Sequence, residues 1–497
     1  MYHMNNEQSS YRSIMKATSV YGGAQFLGII ISVIRTKCIA LFLGAAGMGI
    51  VGLLTSALLL IGGLTNFGLA TSAVRDISIA SASADENRVA LVVNVMRRWV
   101  WVTGIFGTVA IIILSPILSR MAFETSAYVW SFIFLSSTLL FNQLNAGQLV
   151  LLQGLQKIKY LAKASIAGNI SGLLLTLPLY YYLGNAGIVP AMITTAVVTL
   201  GISWYFASKI HIKPMLLTNK VAVAEGKSML KMGFLINLSA VLVIITTYIL
   251  QLFISNTGNI AQVGLYTAGF AMINTYVGIV FSSMSTSYFP KLSAVSHSNE
   301  QCKICINQQA EMSILFLGPI VMFFLVFAKF IIVVLYSAKF IIIEEMVMWV
   351  VLATFLKAGS WAIALILLAK GASKLFFWNE LVANAYILIF DILAYHFFGL
   401  KGLGISYFLA FLLYFIQVYV LCSKKYNFSF NHPFIKIFII QFSLAVFCFF
   451  VSKFLQDTYA YLFGIFFICC SIIHSYKELD KRIDLKGMMQ DFLGKFR

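Results

Sequence analysis

Fourteen long apolar runs alternate with short polar segments along the chain. They cover 17–43, 48–70, 91–114, 128–152, 162–183, 187–208, 229–255, 262–288, 310–328, 343–369, 373–398, 401–422, 433–452 and 458–475. Each approaches the roughly 20 residues that a helix needs to cross a hydrocarbon core. None shows two-residue alternation, and all are far longer than the roughly 10 residues of a barrel strand. The pattern predicts an all-α polytopic membrane protein with about 14 transmembrane helices. Met1–Ser10 is polar, and the run behind it continues past signal-peptide length, so it is read as the first span.

Composition narrows the class further. Of 497 residues, 60% are hydrophobic and 10% charged, with a mean hydropathy of +0.91. Soluble domains carry roughly 25% charged residues, so a soluble enzyme is excluded. The 15% aromatic content excludes disorder. Seven scattered cysteines do not make a disulfide scaffold.

The formal charge of +18 would suggest nucleic acid in a soluble protein. Here it follows topology. With the amino terminus inside, the inner segments hold Arg12, Lys16, Arg75, Arg88, Arg97, Arg98, Lys209, Lys213 and most of the remaining cations, including the tail residues Lys486, Lys495 and Arg497. The outer segments hold only Arg120, Lys329, Lys339, Lys401 and Lys453. The positive-inside bias places both termini in the cytoplasm and removes the need for a nucleic-acid partner.

A repeat is visible at one offset. Leu151-Leu152-Gln153-Gly154 corresponds to Leu368-Ala369-Lys370-Gly371, and Gly184-Asn185-Ala186-Gly187 to Gly399-Leu400-Lys401-Gly402. Met48-Gly49 corresponds to Val263-Gly264, and Arg75 to Lys291, with offsets of 215 to 217 positions. An even number of spans per copy gives a parallel repeat, as in many transporters. The expected organisation is a six-helix lobe over 1–210, a hydrophilic connector over 211–225, a second six-helix lobe over 226–424, and two extra spans with a basic tail over 425–497.

Catalytic chemistry is sparse. The six histidines have no metal-ligand spacing, and there is no phosphate loop or nucleophile elbow. Cys302-Lys303-Ile304-Cys305 lacks the second pair that a zinc site needs. The polar residues within spans are more informative, because an intramembrane charge costs at least about 2.5–3.5 kcal/mol and needs a partner or a wet cavity. Lys357 lies mid-span with Ser360 and Trp361 at i+3 and i+4; it fits a polar ligand, or a packing pair with Asp391. Arg35 and Lys37 lie roughly 200° apart around the first span, so only one can face a given cavity. Arg35 is assigned inward, where its guanidinium could fork onto a phosphate. Glu380, Asn384 and Asp391 form a polar stripe, readable as an ion-coupling site, a counter-charge for Lys357 or a packing ladder. Asn142, Gln143, Asn145 and Gln148 give the fourth span a wet face, and Asn66 and Asn274 are isolated amides. Arg75 and Lys291 put one cation at the inner mouth of each half.

An ordered set of segments resembles the Wzx-type flippases of the multidrug/oligosaccharidyl-lipid/polysaccharide (MOP) exporter superfamily. It comprises Thr36–Gly47, Gly62-Gly63-Leu64-Thr65-Asn66-Phe67-Gly68, Tyr288-Phe289-Pro290-Lys291-Leu292-Ser293, Lys339-Phe340, Leu356-Lys357-Ala358-Gly359, Ala369-Lys370-Gly371 and Asn379-Glu380. The likeness runs from about residue 13 to about 422. It implies two six-helix lobes around a central cavity and an inner-membrane flippase for undecaprenyl-pyrophosphate-linked oligosaccharide, such as an O-antigen unit. It implies no cofactor and no catalytic residue. A proton or sodium gradient is compatible as the driving force, and a polysaccharide polymerase as a partner. Lys37, Lys357 and Glu380 are the positions carried over from the resemblance. Arg35, Arg75, Asn66, Asn142, Asn274, Trp361 and Asp391 come from this chain's own pattern. Lipid II flippases also have fourteen spans, but their first-span arginine motif is absent here. A cation-coupled drug exporter is a further alternative and would favour acids over bases in its spans.

Overall fold

The computed structural model describes residues 23–483 apart from 84, 214, 216 and 217. Met1–Ser10, Arg12, Lys16, Lys486, Lys495 and Arg497 lie outside the described residues. The helices are α1 Gly23–Phe42, α2 Gly44–Thr65, α3 Leu69–Ala82, α4 Glu86–Phe123, α5 Val129–Gly154, α6 Ile158–Leu183, α7 Ile188–Ser208 and α8 Asn219–Thr257. They continue with α9 Ile260–Tyr276, α10 Gly278–Ala294, α11 Asn299–Leu335, α12 Glu344–Ala369, α13 Ser373–Tyr426, α14 His432–Phe454 and α15 Asp457–Ile483. No strand occurs among the described residues.

Eleven described stretches are long and apolar enough to cross a membrane. Two of them, Ile158–Ser208 and Ser373–Tyr426, have about twice the length that one crossing needs. Each bends at a glycine, so these two stretches supply four spans. The remaining expected span is α5, whose Asn142, Gln143, Asn145 and Gln148 lower its hydropathy. Each of the fourteen expected apolar runs thus coincides with a helix over most of its described length, the run 48–70 being broken after Thr65.

The two bends are alike. Gly184 has φ 55° and ψ −133°, and Gly399 has φ 60° and ψ −145°. This region of backbone space is essentially restricted to glycine. At both positions an added Cβ would meet nothing within 4 Å, so backbone strain alone excludes a side chain. Gly184→Ala and Gly399→Ala are each expected to cost roughly 1–3 kcal/mol, with similar losses at the two sites. Thermal denaturation of the purified protein measures this, and an unchanged midpoint for both variants would refute it.

Two features depart from the sequence expectation. The second span ends at Thr65 rather than continuing to 70. The Asn66 carboxamide oxygen accepts the Gly68 amide at 2.8 Å, and Phe67 and Gly68 both have positive φ. This turn stops the span and redirects the chain into α3, which the sequence reading missed. Leu69, Ser72, Ala73, Ile77 and Ala80 of α3 are buried at helical spacing, and the helix packs on α4, α5 and α8. The connector 211–225 is also partly helical, because α8 begins at Asn219. Arg88 forks onto Glu225 at 2.8 and 3.0 Å, Lys213 meets Glu86 at 2.8 Å, and Trp99 Nε1 donates to the Ala222 carbonyl at 2.9 Å. The Arg88 hydrogen bonds hold the Glu225 carboxyl below its ordinary range.

The chain divides into two compact units, Met1–Gly264 and Leu265–Arg497. In the first, α4 packs on α5, α6 on α7, and α5 on α7. The first turn of α9 crosses the start of α2 closely. A Cβ on Gly49 would lie 1.9 Å from the Ile260 carbonyl oxygen, and one on Gly264 would lie 1.9 Å from that of Ala45. These four residues are reciprocal under the offset of 215, since 45 corresponds to 260 and 49 to 264. In the second unit α12 is the most enclosed helix, set between α11 and α13. The last two spans, α14 and α15, pack on α11. Polar bonds add to that packing: Gln441 joins Ser471 and Ser475 of α15, and Arg482 of α15 pairs with Glu311 of α11 at 2.8 Å. Such bonds inside a bilayer help fix helix partners.

Candidate functional site

Within the first unit, helices α1, α2 and α4–α8 enclose a cavity of about 530 Å³. Its wall is built from small and hydroxylic residues because the helices approach closely there. Gly62, Gly63 and Gly104 give the space, and Thr55, Thr65, Thr103, Thr138 and Thr195 line it. Most of these threonines donate to carbonyls of their own helices: Thr65 to Ile61 at 2.8 Å, Thr103 to Trp99 at 2.8 Å and Thr195 to Ala191 at 2.9 Å. Their oxygens are left as acceptors toward the cavity. Amides add both donors and acceptors. Gln143 donates to Thr103 Oγ1 at 3.0 Å, and Asn237 donates to the Gly63 carbonyl at 2.9 Å.

Four residues singled out in the sequence meet here: Arg35, Asn66, Asn142 and Gln143. Among the described residues Arg35 is the one charged group in the lining, and no carboxylate lines the wall. Its guanidinium packs beside Gly172, where an added Cβ would lie 3.3 Å from one terminal nitrogen. The buried Arg35 Nε has no hydrogen-bond partner. A shielded guanidinium with an unmet N–H, surrounded by hydroxyls and amides, is suited to an anion carrying a polar, sugar-like body. Tyr180, Thr195 and Asn237 also line the cavity and were not singled out. Periodicity could not find them, since Thr and Tyr are ordinary in membrane helices.

The second unit holds a different arrangement. Lys357 of α12 is half-buried, and its Nζ lies 3.3 Å from the Tyr407 hydroxyl. The same nitrogen sits 5.8 Å from the Phe281 ring and 5.5 Å from the Phe411 ring, within cation–π range. Trp361 stacks edge-on to Phe281 at 5.4 Å and lies 5.6 Å from Tyr288. Lys357 is therefore caged by aromatic faces. The packing pair with Asp391 does not form; the partner of Asp391 is Ser406, whose hydroxyl donates to it. Tyr407, Phe411 and Tyr414 lie at i, i+4 and i+7 on α13, and that spacing is the sequence signal that could have revealed the aromatic wall.

Glu380 and Asp391 both fasten the two arms of α13. Tyr414 donates to Glu380 Oε1 at 2.6 Å, Gln417 donates to Asn379 Oδ1 at 2.9 Å, and Ser406 closes on Asp391 at 2.5 Å. The pairs nest around Gly399, as they must in an antiparallel hairpin. Asn384 donates to the Glu380 carbonyl within its own helix. The remaining candidates stand apart. Lys37 is half-buried on α1 and does not line the Arg35 cavity, Arg75 is exposed on α3, and Asn274 is exposed on α9. No group of three or more metal-ligating side chains occurs among the described residues.

The membrane-length helices and the glycine-bent hairpins define an all-α polytopic membrane protein, and its fold is shared by solved proteins of the MOP superfamily. The lipid II flippase MurJ in an inward closed conformation superposes with a TM-score of 0.69 at 14% identity, covering 93% of this chain and 98% of that one. An inward-facing MATE-family multidrug resistance transporter gives 0.63 at 17% identity, covering 83% and 94%. A MOP-superfamily transporter from Pyrococcus furiosus, described as having a binding pocket of reverse polarity, gives 0.58 at 15% identity, covering 83% and 96%. The chain shares the fold of these solved proteins. No curated protein matches the sequence. Residues 38–345 match the polysaccharide biosynthesis protein family, and the chain belongs to that family.

Proposed function

We propose that the protein is a flippase that moves an undecaprenyl-pyrophosphate-linked oligosaccharide, an O-antigen or related repeat unit, across the inner membrane by alternating access. The observation that carries this reading is the cavity around Arg35, whose described lining holds a cation, hydroxyls and amides but no acid. Pyrophosphate and sugars cannot cross hydrocarbon unaided, so they need such a lining, whereas the polyprenyl tail can stay in lipid. No covalent bond changes, so no nucleophile or general acid is required. Arg35 would neutralise phosphate, and the amides of Asn66, Asn142 and Asn237 would hold sugar hydroxyls. Lys357 in its aromatic cage is, within the second unit, another cation suited to an anionic cargo. Glu380 and Asp391 are the carboxylates we assign to coupling with a proton or sodium gradient. The protein would work as a multi-pass inner-membrane protein with both termini in the cytoplasm, alongside a polysaccharide polymerase.

The likeness to MurJ over nearly the whole of both chains favours lipid II as the second reading. A cation-coupled drug exporter is less suited, because the cavity offers cationic drugs no carboxylate. The test is deletion of the gene followed by analysis of lipid-linked saccharides in each leaflet. Accumulation of lipid-linked oligosaccharide on the cytoplasmic leaflet is the expected result. Accumulation of lipid II instead would establish the second reading. Normal surface glycan without accumulation, in a strain with no redundant flippase, would refute both.

A further inference from the structure

A second cavity in the first unit, of about 460 Å³, lies between α4, α5 and α7. Arg97, Gln148 and His211 contribute its nitrogen donors, and Trp101 and Trp204 flank it. It sits where two helices change character together. On α4 Arg97 and Arg98 are the last charged residues before the uncharged, largely apolar stretch from Trp99 to Ser119. On α7 the apolar run ends at Ser208 and Lys209. This is the level of a membrane–water boundary, where tryptophan is enriched. Trp101 is 51% exposed and Trp204 is 64% exposed, so the indoles stand on the outer surface rather than in the core.

Four other cations at this end have partners. Arg88 pairs with Glu225, Lys213 with Glu86, Arg98 with Asn219, and Lys209 lies over the Tyr205 ring. Arg97 has no hydrogen bond or ion pair among the described residues, and no carboxylate lines the cavity with it. We propose that this cavity binds the phosphate headgroup of a membrane lipid. The Arg97 guanidinium forks onto the phosphate oxygens, the Gln148 and His211 nitrogens donate beside it, and the two indoles rest against the glycerol and upper acyl region. A lipid is favoured over free phosphate because the rim consists of membrane-level tryptophans. An anionic headgroup also gains from the surrounding basic residues. The assignment is independent of the transport reading, because it concerns a different cavity.

The test uses the full-length protein in detergent with phosphatidylglycerol added, and native mass spectrometry counts retained lipid. Wild type is expected to keep lipid through the gas-phase transfer, and Arg97→Gln to retain about tenfold less, the scale of a lost charge-assisted hydrogen-bond pair. Trp204→Ala, a change at an exposed site, is expected to reduce retention several-fold; it decides the matter should Arg97→Gln fail to fold. Equal retention by wild type and the folded variants overturns the proposal. Two further probes separate the sources of phosphate. Displacement of phosphatidylglycerol by a short polyprenyl phosphate supports the site and identifies an isoprenoid lipid as an occupant. Stabilisation of wild type by inorganic phosphate alone, without phosphatidylglycerol retention, overturns the lipid assignment.

Discussion

Arg35→Ala is expected to lower flipping of lipid-linked oligosaccharide by about a hundredfold while leaving the protein folded and inserted. Truncating one side of a desolvated charge pair typically costs about 2–5 kcal/mol, and each 1.4 kcal/mol is about tenfold. In the proposed complex Arg35 is the cavity's one cation facing a pyrophosphate, so the loss falls on the cargo. The fold should tolerate the change, because Arg35 Nε makes no hydrogen bond in the protein and the side chain lines the cavity. Arg35→Lys should retain part of the activity, since it keeps the charge but loses the fork. Flipping in reconstituted vesicles, normalised to inserted protein, measures both. Wild-type flipping by Arg35→Ala would remove this residue from the mechanism.

Gly49→Ala and Gly264→Ala are expected to destabilise the protein by roughly 1–3 kcal/mol each or more, as for overpacking. The obstructing atom is a backbone carbonyl oxygen in both cases, so no flexible side chain can yield. The double variant should cost less than the sum of the singles. Once the first methyl has pushed α2 and α9 apart, much of the space for the second exists already, and sites in contact are coupled. Gly201→Ala on α7 is the control. A Cβ there meets nothing within 4 Å, and alanine has the higher helix propensity. Thermal unfolding of the four variants in one detergent decides the matter. Strict additivity, or no loss at Gly49 and Gly264, would mean that the close crossing does not constrain the protein.

Much of the architecture is legible along the chain because membrane helices announce themselves by length. The runs 162–183 and 187–208 reappear as α6 and α7, and 373–398 and 401–422 as the two arms of α13. The glycines that make the bends were visible as a repeated motif, because a backbone with φ near 55–60° and ψ near −140° leaves almost no other choice of residue. The misses have local causes as well. Phe67–Ala70 looked like a continuing span, yet the Asn66 turn and the left-handed Gly68 end it, and the amphipathic pattern of α3 went unread. At the candidate site, Asn66 and Asn142 were noticed as polar residues in apolar surroundings. Thr195 and Tyr180 were not, since neither is unusual in a span.

The sequence alone determined which stretches are long apolar helices, the glycine hairpins and the charge asymmetry of the connecting segments, because each depends on local hydropathy, backbone freedom or loop charge. It could also show that Arg35 and Lys37 face different directions, since their spacing on a helix dictates it. Only the tertiary structure decided which of them lines the cavity, that Asn66 and Asn142 join it, and that Lys357 meets Tyr407 and two phenylalanine rings rather than Asp391. The physical reason is that a helix in lipid is apolar on nearly every face. Its rotation is not written in its own hydrophobic pattern but is set by the packing and hydrogen bonds of its neighbours.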